Sequence, residues 1–190
     1  MLLGLEPQVT ADQFFWMLSR VSGLSAYAAL AISLLSGAAI RSGLLGDVGS
    51  NRALRATHEF TAILWIPLGL LHILSLLLDP TARIVPVDVF VPLLAGYDAA
   101  GRLAVGLGTV GFDLMIVVAF TGWLRGRMDR RAWTWIHRLA YVAFALSFLH
   151  AVLGGTDFNE PAVSALTWST AVALGVVSLG RALWGRLPAG

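Results

Sequence analysis

At 190 residues, 57% hydrophobic and only 13% charged, with mean hydropathy +0.78, the chain is too apolar for an ordinary soluble domain. It has no cysteine, which excludes disulfides, iron–sulfur clusters, thiolate-ligated haem and c-type haem attachment. Its 13 cations are all arginine and fall between apolar runs, so the isoelectric point near 9.7 reads as a membrane-topology signal and not as nucleic-acid binding.

The start, MLLGLEPQVTADQFFW, lacks a basic leader and a small-residue cleavage site, which argues against a removed signal peptide. The first span is expected over Val21–Ile40, with Trp16 and Arg20 at its leading edge. A linker, Arg41–Thr57, follows, where glycines, Asp47 and Asn51 break the helix. The second span runs from His58 to Leu78 and stops at Asp79-Pro80, because proline has no N–H with which to continue a helix. Residues 84–97 are apolar but short and broken by Pro86, Asp88, Pro92 and Gly96, so they are expected to be interfacial or re-entrant. Spans three, four and five follow at Leu103–Leu124, Trp133–Leu153 and Val163–Leu179.

The expected fold class is therefore an all-α integral membrane bundle of about five spans, with the lipid bilayer as its first partner. Alternate linkers share a side. One side collects Arg41, Arg52, Arg55, Arg125, Arg127, Arg130, Arg131, Arg181 and Arg186; the other has only Arg20, Arg83 and Arg102 beside five acidic residues. The positive-inside rule then puts the amino terminus outside and the carboxyl terminus in the cytoplasm of a multi-pass cell-membrane protein.

All four histidines of the chain lie in two spans: His58 and His72 in the second, His137 and His150 in the fourth. Both spans run outward from the cytoplasm, so His58 and His137 share an inner level, and His72 and His150 an outer one. The two levels are roughly 20 Å apart along a helix. Each level offers two imidazoles from facing helices, the arrangement that clamps a six-coordinate b haem. One difficulty is helical phase. A 14-residue separation returns to nearly the same face, whereas 13 residues miss it by about 140° on an ideal helix, so the fourth span needs a bulge, a local tightening or different ligand rotamers. The alternative to ligation is that the histidines only hydrogen-bond between helices; a zinc or copper site fits less well, since carboxylates near them are scarce.

The pairs His58/His72 and His137/His150, with TWIHRLAY leading the fourth span, resemble the ferric reductase-like transmembrane domain family over residues 20–180. That family includes ferric reductases, NADPH oxidases and the haem membrane subunit of the bacterial methionine sulfoxide reductase system. The resemblance implies two b haems, iron-ligated by His58 with His137 and by His72 with His150, in a domain over residues 21–184. Residues 1–20 would then be an extracytoplasmic segment and 185–190 a short cytoplasmic tail. It also implies electron transfer across the membrane, as an oxidoreductase component, from a cytoplasmic flavoprotein or a quinol to ferric iron or an extracytoplasmic partner reductase. Ferric reductases and NADPH oxidases carry a flavin and nicotinamide module after the last span, and this sequence ends at Gly190. Any FMN or quinone would therefore come through a partner or a site not marked by a motif. NADPH oxidases also tend to carry a polar residue where this chain has Leu76, which argues against superoxide production. The alternatives are a quinol-linked cytochrome resembling the b561 type and a membrane anchor without turnover.

Other residues join the cofactor-binding candidates. Trp65 and Phe144 fall midway between the two histidine levels and either shorten an electron's path or simply fill the core. Arg55 and Arg138 flank the inner histidines and either pair with haem propionates or only mark the cytoplasmic face. Asp113, near the middle of the third span, is a candidate for proton relay or quinone contact, or else a protonated carboxyl bonded to a neighbouring helix.

Overall fold

The computed structural model describes residues 10–42 and 50–184; the expected extracytoplasmic segment before residue 10, linker residues 43–49 and the tail with Arg186 lie outside them. Within the described residues the protein is all-helical: α1 (Ala11–Ser42), α2 (Asn51–Leu78), α3 (Pro86–Phe90), α4 (Ala99–Trp123), α5 (Arg130–His137), α6 (Leu139–Gly154) and α7 (Pro161–Trp184). Five stretches are long and apolar enough to cross a membrane: α1, α2, α4, α5 with α6, and α7. Large apolar side chains such as Leu70, Leu74, Phe120, Val172 and Val176 face outward, as a bilayer-embedded bundle requires.

Polar caps fix where the helices begin. Ser50 accepts from the Ala53 amide at α2, Asp98 from Gly101 at α4, and Asp129 from Arg131 and Ala132 at α5, each satisfying N–H groups that the first turn leaves unpaired. Helix α1 starts ten residues before the expected Val21, because ADQFFWMLSR continues as helix beyond the point where hydropathy falls. It packs chiefly along α2, while α4 packs chiefly along α6; α7 rests more lightly on α1 and α6. The bundle is thus two helix pairs facing each other. Ala26, Ala29, Leu30, Ala31 and Leu34 of α1 join Trp65, Met115, Val118, Ala143 and Phe144 in the core between them. At one end, a bidentate ion pair from the Arg20 guanidinium to the Asp157 carboxylate ties α1 to the α6–α7 turn.

The broken apolar stretch does not cross the bundle. It forms the short α3 and a turn that lies against α4, with outward-facing Val87, Phe90, Leu93 and Leu94. Asp88 is buried, accepting from the Val85 amide, and its carbonyl accepts the Thr109 hydroxyl at 2.8 Å. The Tyr97 hydroxyl donates to the Ala82 carbonyl, and burial pushes that phenol above its ordinary range. Thr109→Val should therefore cost about 1 kcal/mol. It should also expose residues 84–97 to proteases faster than the rest of the chain; an unchanged cleavage pattern would mean that the α3 turn is held by other contacts.

Candidate functional site

Three helices, α2, α5 and α6, carry histidine where histidine is costly, and the fold brings the four rings together two by two. His58 of α2 faces His137 at the end of α5, with ring centres 6.1 Å apart and planes at 82°. His72 of α2 faces His150 of α6 at 6.3 Å and 78°. The pairs are those expected from matched levels.

The phase problem of the fourth span has a structural answer. That span is not one helix: α5 ends at His137, Arg138 interrupts the regular ladder, and α6 starts at Leu139. At the interruption the Tyr141 amide bonds the Arg138 carbonyl three residues back, a local tightening that uncouples the direction of His137 from that of His150.

Three of the rings are fixed by the backbone of the neighbouring helix. Nδ1 of His58 lies 2.7 Å from the Ser33 carbonyl, Nδ1 of His72 lies 2.7 Å from the Ser19 carbonyl, and Nδ1 of His150 lies 2.8 Å from the Ala104 carbonyl. A carbonyl oxygen only accepts, so Nδ1 carries the proton in each. Nε2 is then the nitrogen with a free lone pair, which is the tautomer a metal ligand needs. The fourth ring, His137, stacks on Trp133 at 4.9 Å and 17°, and the Arg125 guanidinium lies 5.9 Å from the same indole.

Each carbonyl-bonded ring also sits against a glycine. A Cβ added at Gly23 would stand 2.8 Å from His72 Nδ1; at Gly37, 3.0 Å from His58 Nδ1; at Gly108, 2.7 Å from His150 Nδ1. These glycines, with Ser19, Ser33 and Ala104, escaped the sequence reading. One signal was present: Gly23 and Gly37 repeat on α1 the spacing of His72 and His58 on its antiparallel neighbour α2.

The remaining candidates separate. Trp65 and Phe144 are both buried in the core, but each meets a different aromatic: Trp65 meets Phe112 at 6.2 Å, and Phe144 stacks on Tyr27 at 5.2 Å. Arg55 is exposed. Arg138 is exposed too, its guanidinium 4.8 Å over the Trp135 ring. Asp113 is half-buried on α4 and makes no hydrogen bond to the described residues.

The spacing of the paired rings is itself chemical information. Two imidazoles gripping one ion through Nε2 hold their ring centres about 6 Å apart, since each metal–nitrogen bond is about 2 Å and each nitrogen lies about 1 Å from its ring centre. Both pairs have that separation. Among the described residues no three His, Asp or Glu side chains converge as a metal cluster, so each site offers two ligands only. Two axial imidazoles suit an ion whose other positions are filled by a macrocycle, so the residues fit a b haem at each level.

No curated protein and no solved structure matches the chain. A family model does match over residues 14–157, which takes in α1 to the turn after α6 and all four histidines. The chain belongs to that family, described as a domain of unknown function (DUF8596).

Proposed function

We propose that the protein carries single electrons across a membrane through two bis-histidine b haems, one between His58 and His137 and one between His72 and His150. The observation that carries this reading is the pair of ring separations, 6.1 and 6.3 Å, with three of the four Nδ1 atoms tied to backbone carbonyls. Bound there, haem iron supplies a one-electron ferric/ferrous couple.

The chain's own residues do the rest. The carbonyl bonds hold the imidazoles in the ligating tautomer and raise their basicity, which stabilises the higher charge on whatever they ligate. Trp65, Phe112, Tyr27 and Phe144 fill the interior with aromatic atoms and keep water out of it. Arginine crowds the end that carries His58 and His137, so this end is assigned to the cytoplasm, with the amino terminus outside. Electrons would enter at that level from a cytoplasmic flavoprotein or a membrane quinol. They would leave at the His72/His150 level to ferric iron or an extracytoplasmic partner.

A reduced-minus-oxidised visible spectrum of the purified protein tests the reading. A bis-histidine b-type spectrum with about two haems per chain is expected. The nearly perpendicular ring planes also predict a strongly anisotropic low-spin EPR signal from the oxidised protein. A folded chain that stays haem-free when haem is supplied would defeat the proposal.

A further inference from the structure

Helices α6 and α7 do not close against each other along their whole length. Between them lies a cavity of about 250 Å³, partly open to the outside of the bundle. A cavity of about 150 Å³ already holds benzene, so this one admits a substituted six-membered ring.

Its lining is ordered by polarity. The residues from α6 follow i, i+3, i+4, i+7, from Tyr141 to Phe148, and those from α7 do the same, from Ala171 to Ser178. Because the helices are antiparallel and joined at the outer turn, Tyr141 and Ser178 lie at the inner end and Phe148 and Ala171 toward the outer end. Neither the Tyr141 nor the Ser178 hydroxyl has a hydrogen-bond partner among the described residues. Ser22, Ser36, Ser75 and Ser147, by contrast, each return their hydroxyl to the helix carbonyl four residues back. Gly175 leaves the middle of the groove open, and a Cβ there would meet nothing within 4 Å. The polar end lies one turn from His137, about 6 Å along the axis.

We infer that this groove binds a membrane quinol, its ring hydroxyls at Tyr141 and Ser178 and its prenyl tail running outward past Gly175 and Phe148. A polar, redox-active head with an apolar tail matches a groove that is hydroxylated at one end, apolar beyond and open to lipid. The inference rests on the two-haem reading and names its electron donor. Each quinol oxidised to quinone releases two electrons and two protons. With haem held at the two histidine levels, the groove would hand these electrons over one at a time, one to each ferric iron, and the protons would leave from the Tyr141 and Ser178 end to the aqueous phase.

The test uses the full chain in detergent, with decyl-benzoquinone and its quinol as probes. A bound quinone quenches nearby indole fluorescence, and Trp168 packs edge-on against Phe148 at 5.0 Å beside the groove. Saturable quenching is expected. Gly175→Leu, whose side chain enters open space, should weaken it at least about tenfold, as one misplaced group in a matched apolar pocket does. Haem content and the dithionite-reduced spectrum should stay unchanged, while reduction by the quinol slows in parallel. Tyr141→Phe with Ser178→Ala should weaken the quinone but not a tail-only prenyl hydrocarbon. Quenching that ignores Gly175→Leu, or equal competition by the hydrocarbon, overturns the proposal and leaves a lipid slot. A haem-free chain that still shows Gly175-sensitive quinone binding would defeat the two-haem reading while supporting the groove.

Discussion

Replacing His72 with alanine is expected to lower the haem content from about two per chain to about one and to remove one of two reduction potentials. The ring of His72 faces only His150 among the histidines, and the other pair is built from different residues, so the loss should be confined to one level. His58→Ala should delete the other potential. Pyridine haemochrome assay and a redox titration in purified protein read both outcomes. Electron transfer across proteoliposomes should fall to background in either variant, because a ladder with one rung missing leaves a gap of roughly 20 Å. If His72→Ala kept two haems and both potentials, the pairing of levels would be wrong, however well the rings face each other.

Gly108→Val should act nearly as strongly without touching a ligand. A side chain at position 108 would begin 2.7 Å from His150 Nδ1 and 3.0 Å from its Cγ, so the ring has to leave the Ala104 carbonyl. Losing such an outer-shell bond commonly costs about 10- to 100-fold in metal affinity. The expected result is faster transfer of one haem to a competing apoglobin, with the His58/His137 level unaffected. Gly23→Val should give the same phenotype through His72, and Gly37→Val its mirror image through His58. Gly122→Ala on the same helix as Gly108 meets nothing within 4 Å and serves as the control. Equal haem retention in Gly108→Val and Gly122→Ala would show that the carbonyl bond does not position the ring.

Much of the helical architecture was legible in the sequence because a membrane restricts what a chain can do. Apolar runs long enough to span have few other uses, and histidine is rare enough in them that four in two matched pairs stand out. The broken stretch around Pro86 and Pro92 announced itself through proline and an apolar run too short to span. The tie from Thr109 to the Asp88 carbonyl could not be read, since it joins a side chain to a backbone atom 21 residues away. The carbonyl partners of the histidines were hidden for the same reason. Gly23, Gly37 and Gly108 were obscured by company: the chain has 20 glycines, and small residues are common in packed membrane helices. The interruption at Arg138 carries no proline or glycine to mark it. Only the mismatch between 14 and 13 residues hinted that something had to give there.

The carbonyl bonds to His58, His72 and His150 have a consequence for assembly. An imidazole on a mobile rotamer loses conformational freedom when it captures a ligand, and that loss is subtracted from the affinity. Here three of the four rings give up that freedom when α1 packs on α2 and α4 on α6. For the haems proposed above, these rings would be aimed by helix packing alone, so capture would cost them little further ordering. On that reading the order of assembly would be insertion and helix packing first and uptake of the proposed haems afterwards.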